Sequence, residues 1–455
     1  MRSRLPYLLP CLFAAAALLG VGAATAQEAP RDPFFPHSGN RGYDVTHYGA
    51  RLSYLPRSGG LRGTATIEAV AARSLRRFSL DLAGMKVTAV SVDGEPAGFG
   101  RGADKLRIAP ARPPAAGQPF LAVVDYWGTP RTYTDPDGGP TEGWIRTDDG
   151  AIGIGEPVGT PVWLPCNDTL TDKASFDFRI TVPERLKGVA NGRLLGVSRE
   201  GGRRTFEWSE SQPMAPYLAA IDIGRGTLVR SEIEGLPAWT MVDPRLAAKA
   251  RLALRPLPEI VRFESRLFGP YPFDALGSIV DLTEERIALE SQTRPIYGRV
   301  PQRDIVVHEM AHQWFGDSVG LRRWPDVWLN EGFATWTQWY YEERHGGPTV
   351  RQIFRILKHE PARHASVWEP PAGDPGKPAD LFDESVYLRG GMALEALRIE
   401  IGTGEMLEVL KRWATEHRYG NADTAEFIAL AEAVSGERLR PLFRRWLFEP
   451  GKPQG

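Results

Sequence analysis

A five-residue segment, His308-Glu309-Met310-Ala311-His312, constrains this chain more strongly than any other part of its sequence. Side chains four positions apart on a helix share one face, so His308 and His312 can both bind one metal ion. Glu309 lies beside them, placed to take a proton from a zinc-activated water and return it to a leaving amine. On this segment alone, two core histidines that flank a solvated glutamate remain the alternative.

A third ligand is available at Glu331, near the start of the next predicted helix, with eighteen residues between it and His312. Two histidines and one glutamate leave the fourth position of a tetrahedral zinc ion open, as in catalytic rather than structural sites. Without that spacing, Glu331 would be an ordinary carboxylate in the first turn of a helix, where the helix dipole favours it. The pattern predicts one Zn²⁺ per chain, bound by His308, His312 and Glu331.

Composition and charge exclude several classes of function. The 55 basic and 56 acidic residues give a formal net charge of −1, whereas a nucleic-acid-binding protein concentrates basic residues on one surface. Beyond the amino terminus no segment is apolar enough to span a bilayer. One cysteine, Cys166, remains there and cannot form an internal disulfide. We therefore expect a protein held together by its core and a metal.

The amino terminus has the pattern of a signal peptide over residues 1–26. Arg2 and Arg4 precede an apolar run from Leu5 to Ala24, and Ala24-Thr25-Ala26 provides the small residues that a signal peptidase accepts. A retained membrane anchor is the alternative, which the two prolines in the run and the small residues at its end disfavour. We expect a periplasmic or extracellular protein with no membrane span after cleavage.

The spacing of apolar residues changes near residue 236. From Tyr43 to Arg230, alternating segments such as Thr64–Val70 are separated by turn residues, which predicts short strands in a sandwich or curved sheets. Within this part, Thr129–Gly159 is rich in Gly, Pro and Asp and predicts a long loop. Helical spacing follows, for example over Val386–Ile401. We predict an α+β fold with a linker over 27–42, a β domain over 43–235 and a mostly helical catalytic domain over 236–455.

Longer segments around these motifs resemble the aminopeptidase N family of gluzincins, a group of zinc metallopeptidases. The segments HEMAHQWFGD (308–317) and WLNEGFATW (328–336) carry the resemblance, and weaker similarity extends from Tyr43 almost to the carboxyl end. The resemblance implies a saddle-like β-sandwich domain followed by a thermolysin-like catalytic domain. It also implies an aminopeptidase, which hydrolyses the first bond of peptides that have a free amino terminus.

The resemblance assigns the residues that hold the substrate. Glu290 matches the glutamate that binds the α-amino group, within a segment, Ile287–Ser291, that corresponds to the family's Gly-Ala-Met-Glu-Asn. The backbone of Ala288 and Leu289 would pair with the peptide as an added strand does. Ile287 and Ser291 depart from the family pattern. Glu156 matches a Glu or Gln of the β domain that contacts the same amine, so two carboxylates would surround one ammonium.

Three other positions follow from the same comparison. Tyr387 corresponds to the catalytic tyrosine, whose phenol donates a hydrogen bond to the oxyanion of the tetrahedral intermediate, although a tyrosine at a helix start more often packs. Gln338 stands where relatives often place an acid that supports a ligand, so we expect somewhat weaker zinc binding. Arg389 stands where lysine is commoner.

Two alternatives to the aminopeptidase remain from the sequence. A zinc endopeptidase would not need the free amine, and Glu156 and Glu290 argue against it. A non-catalytic peptide-binding protein on the same fold would be expected to have lost Glu309, Tyr387 or a ligand, and all are present. The chain ends at Gly455, so we expect a short form without the family's carboxyl-terminal helical domain and with a more open cleft. Oligomeric state and the preferred first residue stay open.

Overall fold

The computed structural model describes residues 31–134, 142–284, 287–359 and 365–453. Strands make up most of the first half of the chain, and helices make up most of the second half. The predicted signal peptide and the first four residues of the predicted linker lie outside the described residues. The described part forms one compact unit. No helix in it is long and apolar enough to cross a membrane.

The strands before the first helix include several that bury one face and expose the other. In β2, for example, Ala65, Ile67 and Ala69 are buried while Glu68 is exposed, as the alternation in the sequence predicts. In chain order they are β1 (Tyr43–Leu55), β2 (Gly60–Ala71), β3 (Phe78–Asp81), β4 (Lys86–Val92), β5 (Glu95–Pro96), β6 (Gly98–Arg101), β7 (Lys105–Ala109), β8 (Pro119–Gly128), β9 (Thr132–Tyr133), β10 (Glu142–Arg146), β11 (Ala151–Ile154), β12 (Ala174–Pro183), β13 (Lys187–Ala190), β14 (Arg193–Glu200), β15 (Arg203–Met214), β16 (Ile221–Gly224), β17 (Thr227–Ile233) and β18 (Leu236–Val242).

Three sheets contain most of these strands. The largest has eight strands in the order β14-β15-β12-β1-β2-β8-β4-β5, and β1 and β12 pair in parallel at its centre. A five-stranded sheet has the order β13-β16-β11-β10-β9, and a three-stranded one the order β3-β7-β6. The long loop predicted over Thr129–Gly159 is wrong in part, because β10 and β11 pair there and β11 joins β16. Tertiary pairing overrides the turn-rich composition at this point.

Helices and short strands make up the second half. They are α1 (Ala247–Ala253), α2 (Leu257–Phe268), β19 (Leu276–Val280), β20 (Ala288–Leu289), β21 (Ile296–Tyr297), α3 (Arg303–Ala311), β22 (Gly320–Leu321), α4 (Trp328–Arg344), α5 (Val350–His359), α6 (Glu384–Ile401), α7 (Thr403–Glu416), β23 (Asn421–Ala422), α8 (Thr424–Ser435) and α9 (Arg440–Phe443). The helix predicted over Val386–Ile401 is confirmed and begins two residues earlier. The predicted α+β fold class is confirmed.

One mixed sheet continues across the predicted domain boundary. Its order is β17-β18-β19-β21-β20, so strands on both sides of residues 235 and 236 pair with each other. The predicted boundary lies in the turn between β17 and β18, where Glu234 and Gly235 both have positive φ. A division into two domains there stays a prediction.

Residues of the predicted linker pack against the second half. The Asp32 carboxylate accepts a hydrogen bond from the backbone N–H of Trp324 at 2.7 Å. Phe35 is buried, and its ring meets that of Trp324 edge-on, with the centroids 6.2 Å apart. Trp324 lies just before α4, so the described part of the linker supports the helix that carries Glu331.

A buried arginine joins the two halves. The Arg294 guanidinium lies beside the rings of Trp208 and Trp239. It donates hydrogen bonds to four backbone carbonyls, those of Ala190, Gly192, Trp239 and Leu276. Burial lowers the pKa of Arg294 to about 10, which leaves it charged at neutral pH. A planar fork of five donors matches several carbonyls at once, whereas one ammonium group cannot reach them all.

We expect Arg294→Lys to lower the free energy of unfolding by roughly 2–4 kcal/mol, because it leaves buried carbonyl groups without donors. Urea denaturation followed by tryptophan fluorescence measures this change. The matched control is Arg355→Lys on an exposed position of α5, which should change it little. Equal effects of the two substitutions would contradict this role for Arg294.

Candidate active site

Helices α3 and α4 bring the three predicted metal ligands together. His308 lies in the last turn of α3, His312 ends that helix, and Glu331 lies in the first turn of α4. One ligand atom from each residue lies within 4.8 Å of the other two. The Oε2 atom of Glu331 is 3.1 Å from Nε2 of His308 and 3.5 Å from Nε2 of His312. All three side chains are buried.

The Nδ1 atoms of His308 and His312 each lie within hydrogen-bond distance of an acceptor oxygen. Nδ1 of His312 lies 3.1 Å from the carbonyl oxygen of Phe315, and Nδ1 of His308 lies 3.2 Å from Oε1 of Gln338. A carbonyl oxygen only accepts, so each Nδ1 carries a hydrogen, and Nε2 is the nitrogen left to bind a metal in the neutral form of each ring. Two neutral imidazoles and a carboxylate are a donor set that zinc prefers.

The charge of the surrounding cleft also fits a cation. The cleft has a volume of about 590 Å³, and the described residues that line it include four glutamates and two histidines but neither lysine nor arginine. Burial disfavours charge on Glu331, but His312 and hydrogen bonds from both histidines outweigh it and lower the pKa of Glu331 to about 2. Burial likewise opposes the imidazolium form of His312, yet Glu331, Glu290 and Glu309 raise its pKa well above the usual value. Without a metal, a proton on His312 partly balances the negative charge of the carboxylates.

Glu309 and Tyr387 face the same cleft. Burial, with further contributions from the Glu290 and Glu331 carboxylates, raises the pKa of Glu309 well above its usual value, and a bound dication would act in the opposite direction. Burial and the nearby glutamates also raise the pKa of Tyr387, which keeps its phenol protonated and able to donate. Its ring stacks on His308 with the centroids 5.9 Å apart.

A second group of carboxylates adjoins the metal ligands. One oxygen from each of Glu156, Glu290 and Glu331 lies within 4.8 Å of the other two. Glu156 follows β11 in the strand-rich half, and Glu290 follows β20. Burial and the neighbouring carboxylates raise the pKa of Glu156, and burial raises that of Glu290. Oε1 of each is buried without a hydrogen-bond partner among the described residues, so this end of the cleft suits a donor with positive charge.

The predicted backbone pairing site lies at a sheet edge. Ala288 and Leu289 form β20, which pairs with β21 on one side only, and both residues line the cleft. The carbonyl of Ile287 accepts a hydrogen bond from the backbone N–H of Gly298 at 2.8 Å, so the ladder continues through this departure from the family pattern. An edge strand in the wall of a cleft is a position at which a peptide can pair as an added strand.

Several residues of the site escaped the sequence analysis. Thr335 and Trp339 line the cleft and lie one and two helical turns beyond Glu331, a spacing that would have indicated them. Gln313 gave no such signal. Its Nε2 atom donates to the carbonyl of Glu290 at 2.8 Å, and its Oε1 atom accepts from the backbone N–H of Thr293 at 2.8 Å. Gln313 therefore holds the backbone around Glu290 against the end of α3.

Comparisons with known proteins agree with this geometry. Residues 277–446 match the Peptidase family M1 domain. A leucyl aminopeptidase from Saccharolobus solfataricus is 25% identical over 319 residues, which cover 64% of this chain and 40% of that protein. The Tricorn protease-interacting factor F2 of Thermoplasma acidophilum is 24% identical and is covered to 40%. The chain thus spans about two fifths of the length of these relatives.

A solved structure matches this chain over nearly the whole length of both proteins. The M1 zinc metallopeptidase from Deinococcus radiodurans superposes with a TM-score of 0.84 at 28% identity, covering 93% of this chain and 98% of that one. Another structure is of a mutant of that enzyme bound to a Tyr-Ser-Ala substrate. The chain belongs to the aminopeptidase N type of gluzincin, the M1 family of zinc metallopeptidases, which act on peptide bonds. One zinc ion is the cofactor of this family, and His308, His312 and Glu331 fit it.

We expect the purified protein to contain one zinc ion per chain and Glu331→Gln to lose it. The loss of affinity should exceed the ~10–100-fold typical of removing a partner that only orients a ligand. Mass spectrometry of the metal content, before and after dialysis against a chelator, measures both quantities. Glu405→Gln, in the first turn of α7, is the matched control. Stoichiometric zinc in Glu331→Gln would contradict the ligand set.

Proposed function

We propose that this protein is a zinc aminopeptidase, which removes the first residue of peptides that have a free amino group. The observation that carries the proposal is the position of Glu156 and Glu290 beside the metal ligand Glu331, within 4.8 Å of one another. An α-amino nitrogen and the carbonyl carbon of the same residue are roughly 2.5 Å apart, because only one Cα separates them. An ammonium bound by these carboxylates therefore presents the first peptide bond to the metal.

The residues of the chain divide the reaction between them. Zinc, when bound, supplies a Lewis acid that polarises the peptide carbonyl and lowers the pKa of water. Glu309 accepts the proton of the attacking water and transfers it to the nitrogen of the departing peptide. Tyr387 donates a hydrogen bond to the carbonyl oxygen as negative charge develops on it. Glu156 and Glu290 hold the ammonium, and the edge strand β20 aligns the peptide backbone.

We also propose, from the amino-terminal pattern alone, that the protein is exported and cleaved after Ala26. Sequencing of the mature amino terminus tests this proposal. A chain that keeps residues 1–26 would overturn it.

Glu309→Gln should retain zinc and lose most of its turnover. The amide keeps the shape of the side chain but cannot accept the proton of water, and general-base catalysis typically contributes 10²–10⁴-fold. Tyr387→Phe should lower kcat with a smaller change in KM, since its hydrogen bond is strongest in the transition state. Steady-state kinetics with metal analysis measures both variants. A near-normal kcat in Glu309→Gln would assign the base to another residue.

Acetylation of the substrate amine should prevent cleavage. A charge-assisted hydrogen bond is worth about 1.5–3 kcal/mol, so losing one carboxylate of the pair should cost roughly one to two factors of ten in kcat/KM. Acetylation should cost more, because it removes the cation from both Glu156 and Glu290. The measurement compares one peptide with and without an acetyl cap by mass spectrometry, in the native protein and in Glu290→Ala.

The products separate the possible functions. Stepwise loss of amino-terminal residues from the uncapped peptide alone supports the proposal, and Glu309→Gln provides the inactive control. Internal cleavage of both peptides at similar rates indicates an endopeptidase. Binding without cleavage of either peptide indicates a peptide-binding protein.

A further inference from the structure

An acidic side chain lies one step behind the amide that contacts His308. Oε1 of Gln338 is 3.2 Å from Nδ1 of His308, and Nε2 of Gln338 is 3.3 Å from Oδ2 of Asp304. Asp304 lies in the first turn of α3, one turn before His308, while Gln338 lies on α4. Asp304 and Gln338 are both half-buried. The three side chains form one hydrogen-bonded row across two helices.

The carboxylate of Asp304 decides which way the amide faces. An ionised carboxylate only accepts hydrogen bonds, so the NH₂ group of Gln338 must point towards it. The amide oxygen then faces His308 and requires a hydrogen on Nδ1, which leaves the Nε2 lone pair for a metal. A reversed amide would place its NH₂ group against Nδ1 and favour the tautomer with hydrogen on Nε2, so that Nε2 could not bind zinc.

We propose that Asp304 is a positioning residue for the zinc ligand His308 and acts through Gln338. Carboxylates that bond directly to a metal-bound histidine fix its tautomer and ring orientation. Here the amide of Gln338 transmits that constraint, because its two ends have opposite hydrogen-bonding character. The proposal rests on the metal site of the proposed function and not on its peptide substrate.

Two simpler effects of Asp304 predict something different. A carboxylate in the first turn of a helix stabilises that helix through its dipole, and a negative charge near a dication attracts it at a distance. Neither effect depends on the chemistry of residue 338. The orienting effect does, because it requires an amide there. A double-mutant cycle between the two positions therefore separates the explanations.

The experiment measures the zinc dissociation constant of metal-free protein by competition with a chromophoric chelator. The four proteins are the native chain, Asp304→Asn, Gln338→Glu and the double variant. Asp304→Asn should weaken zinc binding about tenfold in the native background, as removal of an orienting partner typically does. In the Gln338→Glu background, Asp304→Asn should strengthen zinc binding. It removes the repulsion between the carboxylates at positions 304 and 338, and the new amide at position 304 donates a hydrogen bond to the carboxylate at position 338.

The sign of this second change is the decisive result. Weakening by a similar factor in both backgrounds, or no change in the native one, would overturn the proposal while the metal site stands. A native chain that binds no zinc would overturn the metal site as well. Glu405→Gln controls for loss of an acid in the first turn of a helix, and thermal melting of the metal-free proteins confirms that each is folded.

Discussion

The structure is organised around an excess of buried negative charge. Four glutamates face one cleft, and the described residues that line it include no lysine or arginine. Three of the glutamates place carboxylate oxygens within 4.8 Å of one another. Burying carboxylates without cations is costly, so a bound cation is favoured in this cleft. In the proposed function, a zinc ion and a substrate ammonium supply that positive charge at adjacent points. Zinc binding and the proposed preference for free amines then have the same physical origin.

Holding these carboxylates together requires contacts between distant parts of the chain. Glu156 comes from the strand-rich half and the other three glutamates from the second half. The Arg294 guanidinium donates hydrogen bonds to backbone carbonyls of both halves. The side chain of Asn191 donates a hydrogen bond to the carbonyl of Gln292, two residues before Arg294. These bonds act on backbone groups, so they fix the path of the chain beside Glu290. Gln313 fixes the same segment from α3.

Much of the fold and of the site followed from local patterns. The alternation in β2 and the helical spacing in α6 predicted their elements because each pattern depends only on which face of an element is buried. The loop expected over Thr129–Gly159 was wrong in part, because pairing of β11 with β16 depends on a partner about seventy residues away. Gln313 was missed for a similar reason, since its partners Glu290 and Thr293 follow a different strand. The roles of the predicted site residues stay predictions.

The sequence by itself determined the metal-binding chemistry. Residues four apart on a helix must share a face, so His308, Glu309 and His312 could be assigned without a structure. The sequence could not show that the oxygens of Glu156 and Glu290 lie beside Glu331, because no helical or strand period relates those positions. It showed the glutamine at 338 but not the aspartate behind it, which α3 and α4 bring together only by packing. Local geometry decides which side chains share an element, and the tertiary structure decides which elements meet.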